Sequence, residues 1–242
     1  HLTIDASGTY SYTFRRNADQ GAIGNAINYD PTQSVYDAAS PFGGYTEWVD
    51  PSTGNPRGSA NPVSLLLSRR DVGNHHRFFG NASVEYKFHF LPELKVKVVG
   101  GVDNLNGEGA TYVDPNSRIG YDSNLPAGQR FVGSESYSDY QDHTKYTFQQ
   151  LQYVKKFGKL SVDVMAGHEY TERSVVSYGT PNLKSLSYYP NAVFDTYTAP
   201  LFKLESYISR ANLGWNDNKF MLTLNFRRDG SSKISPINMW QN

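Results

Sequence analysis

The 242-residue chain has no cysteine, which removes disulfides, thiolate metal sites and cysteine nucleophiles together. It has no net charge either, because lysine plus arginine and aspartate plus glutamate each number 23. With no basic excess there is nothing to draw it to nucleic acid or to an anionic membrane surface, so no nucleic-acid partner is expected. No apolar run approaches the ~20 residues that a membrane helix needs. Only a β-barrel could therefore carry the chain across a bilayer. The N-terminus also lacks the basic start and apolar run of a signal peptide. Since His1 is followed at once by an alternating stretch, the chain reads as an internal piece of a longer protein.

What the sequence does contain is alternation. In "NASVEYKFHF" (81–90), Ala82, Val84, Tyr86, Phe88 and Phe90 alternate with Asn81, Ser83, Glu85, Lys87 and His89, the period-two pattern of a strand with one apolar and one polar face. Seven segments read as strands: 2–16, 78–90, 94–104, 144–155, 159–172, 202–214 and 219–228. Leu160, Val162, Val164, Ala166 and Tyr170 form one apolar set, and Phe220, Leu222, Leu224 and Phe226 another. The fourth segment slips phase between Phe148 and Leu151, as a β-bulge would make it do.

The connections run long, short, long, short, long, short: 17–77, 91–93, 105–143, 155–158, 173–201 and 215–219. Strict alternation of loop length puts all tight turns at one end and all long loops at the other, as in outer-membrane barrels. Long loops without helical pattern are uncommon in compact soluble domains. The expected fold is all-β, part of a large antiparallel up-and-down transmembrane β-barrel with short periplasmic turns and long extracellular loops. The aromatic residues gather near strand ends, with Phe88, Phe90, Tyr153, Phe157, Trp215 and Phe220 by the short turns and Tyr10, Tyr12, Phe14, Phe78 and Tyr170 by the long loops. Two interfacial girdles would be placed this way, although aromatics also favour strands in general.

An inverted barrel reading assigns the faces. Val84, Tyr86, Phe88, Val162, Val164, Leu222 and Leu224 are expected to face lipid. Glu85, Lys87, His89, Lys95, Lys97 and Asp163 are expected to face the lumen, together with Asp5, Asp103 and Glu169. Basic residues facing lipid near the midplane would cost about 2–4 kcal/mol each. The candidate substrate-binding residues are loop aromatics with Asp and Asn neighbours: Tyr45, Trp48, Tyr112, Tyr121, Tyr137, Tyr140, Tyr188 and Tyr189. Flat amphipathic rings beside hydrogen-bonding groups suit glycans or peptides, while any single one of these residues is more often expected to pack the loops or meet a partner protein.

Catalysis finds no support. The six histidines are scattered, and the adjacent His75 and His76 would point to opposite faces of a strand, so no metal site is expected. "GGVDNLNGEG" follows a strand and leads into no helix, so it is no phosphate cradle. No cofactor is expected. The sequon "NAS" at 81–83 begins a strand and is discounted.

Several phrases together resemble the SusC/RagA family of TonB-linked outer-membrane transporters of Bacteroidetes: "AINYDPTQSVYDA", "NPVSLLLSRRD", "RFFGNASVEYKF", "LPELKVKVVGGVD", "YVKKFGKLSVDVMAGHEY" and "ESYISRANLGWNDNKFMLTLNFRRDGSSK". The most specific are Asp30 to Asp37, Asn61 to Asp71 and Phe226 to Ser232. The match loosens after "RRDGSS", where the family's Arg-Phe pair and closing Asn-Arg-Trp-Gly give way to "KISPINMWQN" with Lys233, Ile234, Asn238, Met239 and Gln241. The resemblance implies a 22-stranded barrel holding a plug, with TonB, a SusD-like surface lipoprotein, the remainder of the barrel and outer-membrane lipid as partners. It further implies import of a nutrient, of glycan or peptide class, across the bacterial outer membrane. Plug and TonB-contact segment are not visible in residues 1–242, so the chain is expected to be a segment of the barrel wall. Two rivals remain at this stage: a soluble all-β glycan-binding module, and a SusC-like barrel serving as a scaffold in an outer-membrane assembly.

Overall fold

The computed structural model describes residues 1–180, 195–235 and 239–241. Seven long strands run up and down: β1 (Leu2–Asn17), β2 (Arg69–Lys87), β3 (Leu94–Val113), β4 (Ser134–Phe157), β5 (Leu160–Gly179), β7 (Phe202–Trp215) and β8 (Phe220–Ser231). Two short ones, β6 (Asp195–Thr198) and β9 (Trp240–Gln241), pair with β5 and β8. Every pairing is antiparallel, and the order β1-β2-β3-β4-β5-β7-β8-β9 follows the chain. Among the described residues the sheet is open, with β1 unpaired along one edge.

Strands end where backbone chemistry requires it. Phe157 pairs with Leu160 across a two-residue turn, and Gly158 supplies its φ of 58°. The β7–β8 turn uses Asn216, Asp217 and Asn218 at φ of 55°, 58° and 64°, the left-handed region that Asn and Asp tolerate better than other side chains.

Four strands extend well beyond the bounds expected from the sequence, β4 by ten residues at its start. The extra length is mostly polar in β2 and β4, and in β3 and β5 its apolar residues fall on either face (Leu105, Val113 and Val175 on one, Ala110 and Val176 on the other), so no apolar alternation marks it. The 78–90 segment stops earlier, at Lys87, leaving Phe88, His89 and Phe90 in the connection to β3. The expected bulge is absent, because β4 keeps an unbroken register with both β3 and β5. Phe148 instead lies on the polar face, where its ring packs over Gly167, a position at which a Cβ would sit 3.0 Å from the ring. An aromatic covering a cross-strand glycine keeps the strand regular without a kink.

The first long connection also departs from expectation by forming two helices, α1 (Gly21–Asn28) and α2 (Pro62–Leu67). Asn61 caps α2 by accepting from the Val63 and Ser64 amides, and Pro62 occupies the first turn, where no amide donor is needed.

Among the described residues the buried apolar side chains are Ala22, Phe42, Ala60, Leu65 and Val113. All lie in the loops or at the loop end of β3, so the sheet itself covers no core.

Candidate functional site

The register settles which side chains share a face. Rows such as Leu2–Tyr86–Val96–Leu151–Ala166–Ser209–Phe226 run across seven strands. Val84, Tyr86, Val162, Val164, Leu222 and Leu224 all fall on this apolar face, and Glu85, Lys87, Lys95, Lys97 and Asp163 fall on the other. Phe88 and His89 lie beyond the strand; Phe88 packs its ring on Tyr86 at 5.2 Å and His89 Nδ1 meets Tyr86 Oη at 3.1 Å.

Aromatic residues cross the apolar face in two lines. The loop-ward line takes Tyr10, Phe78, Tyr170 and Tyr207; the turn-ward line takes Tyr86, Tyr153, Trp215 and Phe220. From Tyr10 to Tyr207 the line drops by six residues relative to the register over five strand steps. From Tyr86 to Phe220 it drops by the same six over five. At ~3.3 Å per residue and ~4.8 Å per strand both lines incline about 40° to the register rows, the tilt of strands in a barrel wall. Eight positions separate the lines on β2 (Phe78 to Tyr86) and again on β7 (Tyr207 to Trp215). That is roughly 26 Å of strand and about 20 Å of height at this tilt, close to the apolar band of an outer-membrane barrel.

Polar side chains on the opposite face pair with one another. Arg77 grips Asp103 with Nε at 2.8 Å and Nη2 at 2.6 Å. Arg173 holds Asp142 with Nε at 2.8 Å and Nη2 at 2.5 Å. The two pairs line a common cleft of about 390 Å³. Further along, Arg227 donates to Asp229, to the buried hydroxyl of Ser206 and to Glu169, while Gln152 donates to Asp163 at 2.7 Å and Lys95 pairs with Glu85 at 3.5 Å. Arg77, Asp142, Arg173 and Arg227 were missed in the sequence; Arg77 and Arg173 bound the apolar part of their strands and Asp142 precedes it, where alternation no longer signals a face.

The long loops between β1 and β2 and between β3 and β4 form one platform. Glu47 has a fully buried side chain. Its Oε1 accepts from the Asn61 amide at 3.0 Å and its Oε2 from Arg118 at 2.8 Å. Arg118 also donates to the carbonyls of Arg57, Gly58 and Ser59. Asn61, completely buried, donates to the carbonyls of Val35 and Thr46. Burial, and after it the negative charge of Glu47, pushes the Tyr29 phenol above its ordinary value, while the hydrogen bond from Asn61 acts in the opposite direction.

This platform takes up several candidate residues. Tyr45 stacks on Tyr36, Trp48 meets Tyr29 edge-on at 4.9 Å, and Tyr121 packs with Phe42 and Phe131 while its hydroxyl donates to Asn55. Tyr112 and Tyr137 are strand residues in register with the apolar face, and Tyr140 is on the polar face, donating to Asp142 at 3.1 Å. Tyr188 and Tyr189 lie outside the described residues. Among the described residues no group of three His, Asp or Glu side chains is placed to hold a metal ion.

Comparison with known proteins agrees with this architecture. No family model matches. The TonB-dependent receptor SusC of Bacteroides thetaiotaomicron is 30% identical over 261 residues, covering 99% of this chain and 25% of the receptor. The RagAB peptide transporter shares 19% identity and a TM-score of 0.70, covering 99% of this chain and 27% of that one. The RagAB peptide importer in its open-open state matches with 18% identity and the same TM-score and coverage. The chain thus spans about a quarter of the length of its curated relative. The resemblance to the SusC/RagA family read from the motifs is borne out, as is the all-β, up-and-down barrel-wall fold. These relatives are a receptor and peptide transporters by name, and not enzymes.

Proposed function

We propose that this chain, a SusC/RagA-type wall segment, belongs to a TonB-dependent importer of the bacterial outer membrane that works with a SusD-like surface lipoprotein. The observation that carries the reading is a large sheet with two unlike, exposed faces and, among the described residues, no core against either. Ile4, Leu222 and Leu224 are 65%, 52% and 56% exposed. Left in water, such a continuous apolar surface would be an aggregation hazard far beyond the patches monomers tolerate. Lipid between the two aromatic lines removes that cost, and the ion-paired face then lines a wet lumen.

In this reading the rest of the barrel and a plug come from the remainder of the protein, and TonB acts through that plug. The cargo is a glycan or peptide too large for a porin. It is captured at the loop platform under the lipoprotein lid and passes the polar face once the plug is pulled. Tyr140, whose hydroxyl sits beside the Asp142–Arg173 pair, is placed toward that path. Tyr45, Trp48 and Tyr121 brace the platform around it.

Because the chain has no cysteine, single cysteines report the faces directly. In the full-length protein in its membrane, Leu224→Cys and Val164→Cys should react with a lipid-soluble maleimide and resist a charged one. Asn225→Cys and Asp163→Cys should show the reverse. Equal reaction of all four with the charged reagent would defeat the membrane assignment. The transport role itself is tested by uptake of labelled oligosaccharides and oligopeptides in cells with and without the gene, and with TonB removed.

A further inference from the structure

At the loop-ward aromatic line the apolar face exchanges rings for cations on two of its strands. Eight positions separate the two lines on β2 and again on β7. The same count from Tyr153 on β4 reaches Lys145, and from Phe220 on β8 it reaches Arg228. On β4 and β8 the turn-ward line therefore carries an aromatic ring and the loop-ward line a positive charge, all four with the parity of the apolar face. Six residues beyond Lys145 the sign reverses at Asp139, so on that strand the cation stands only at the depth of the line.

The carboxylates nearby do not balance these charges. Among the described residues neither Lys145 nor Arg228 forms an ion pair. Lys145 stands opposite Glu172, whose other neighbour in the row is Lys203. Glu172 Oε2 accepts from the Tyr170 hydroxyl at 2.9 Å and lies 3.9 Å from Lys203 Nζ, so a single carboxylate answers two ammonium groups. Glu205 turns its Oε1 to His168 Nε2 at 3.0 Å and to the Tyr207 hydroxyl at 2.9 Å. The Arg228 guanidinium lies instead 5.6 Å from the centre of the Trp240 ring. That indole is pressed against the sheet, since a Cβ on Gly230 would sit 2.8 Å from it. Stacking on a ring sets the plane of a guanidinium and leaves its N–H edge open to an oxyanion.

We propose that this boundary binds a lipid of the outer leaflet through its phosphate group, with Arg228 as the principal contact and Lys145 and Lys203 as further counter-charges. The fork of a guanidinium matches phosphate oxygens in pairs, and basic side chains at headgroup depth are drawn to anionic lipid. Turn-ward of Arg228 the same face continues as Phe226 and Leu224, with Ala211 beside Leu224 on β7. Acyl chains below an anchored phosphate would lie along this strip, for which an acidic protein partner or a free anion has no use. The site rests on the outward orientation of the apolar face proposed above, but binding does not depend on transport.

The test titrates the full-length protein in detergent with lipid A, with the same lipid stripped of phosphate, and with inorganic phosphate, and counts bound lipid by native mass spectrometry. Lipid A should be retained, the stripped lipid at least tenfold less well, and millimolar inorganic phosphate should not displace it. Arg228→Gln and Lys145→Gln should each weaken retention about fivefold, the contribution of one basic residue near an anionic surface. Lys155→Gln, which removes a charge of the same parity at the turn end of β4, should leave retention unchanged. Equal retention of the stripped lipid, displacement by inorganic phosphate, an Arg228→Gln variant that holds lipid A as tightly as the native protein, or an equal loss in Lys155→Gln would each overturn the proposal. Because the titration involves no transport and is made in detergent, it can fail while uptake and the maleimide pattern hold, or succeed while they fail.

Discussion

Arg118 Nη1 lies 2.8 Å from Glu47 Oε2, joining two loops 71 residues apart in sequence. Glu47 is wholly buried, and the other guanidinium contacts are backbone carbonyls of 57–59. Removing Arg118 leaves a buried carboxylate without its counter-charge, which costs about 3–5 kcal/mol for pairs of this kind. Arg118→Ala should therefore loosen the platform without unfolding the sheet. Hydrogen exchange over residues 18–68 should rise sharply while β3 and β4 stay protected. A Glu47→Gln/Arg118→Ala double variant should recover part of the loss, since no charge is then stranded.

A charge placed on the apolar face tests the solvent on that side. Leu222 and Thr223 are neighbours on β8 but point to opposite faces. Leu224→Arg, the other neighbour of Thr223 and four residues from Phe220 on the turn-ward line, should lower the stability of the refolded full-length barrel in lipid vesicles by about 2–4 kcal/mol, the cost of a basic side chain facing lipid near the midplane. Thr223→Arg should change it by about 0.5 kcal/mol or less, as an exposed substitution away from special features does. Equal effects would mean that both faces see the same medium.

The contrast between those two positions also explains how far the sequence could be read. Where one face meets apolar surroundings, as in Val84–Tyr86 or Leu222–Leu224, period two stands out and strand and face follow from it. Above the aromatic line both faces are wet, and "SESYSDYQDH" at the start of β4 alternates in geometry but not in polarity. The strands were therefore read short and the loops long. Phe148 misled in the other direction: an aromatic on the polar face imitates a slip of register unless the cross-strand Gly167 is known to receive it. The Asn61–Pro62 helix start went unread, because a helix of six residues has too little period to be seen even where its first turn is capped. The Glu47–Arg118 pair had no local signal at all, because its partners are distant in the chain.

Acid should loosen the turn end of the wall. The Lys155 ammonium, 2.9 Å from Glu93, holds that carboxyl below its ordinary value of 4.5, and hydrogen bonding from Lys156 does the same for Asp217, whose ordinary value is 3.8. A carboxyl depressed in the folded state adds stability above its unfolded value and loses it as pH falls through the folded one. Asp217 is solvent-exposed and Glu93 partly so, so the effect is local and screened by salt. Exchange of amides in the 88–93 and 216–219 turns should accelerate below pH ~4, where carboxylates of this kind protonate. Lys155→Met and Lys156→Met should each flatten the dependence in their own turn.

Trp215 gives the most direct reading of depth. It is half-exposed on β7, in register with Leu160 and Phe220 at the turn-ward aromatic line, whereas Trp48 packs against Tyr29 within the loop platform. An indole at a bilayer interface keeps its ring among the upper acyl carbons and its N–H near water. Lipids brominated close to the headgroup should therefore quench a component of the full-length protein's fluorescence more strongly than lipids brominated near the chain ends. Trp215→Phe should remove that component, and Trp48→Phe should leave it in place. If Trp215→Phe leaves the headgroup-bromine quenching unchanged, the turn-ward line does not mark a membrane boundary, and the inclination of about 40° shared by the two lines loses its meaning as a barrel tilt.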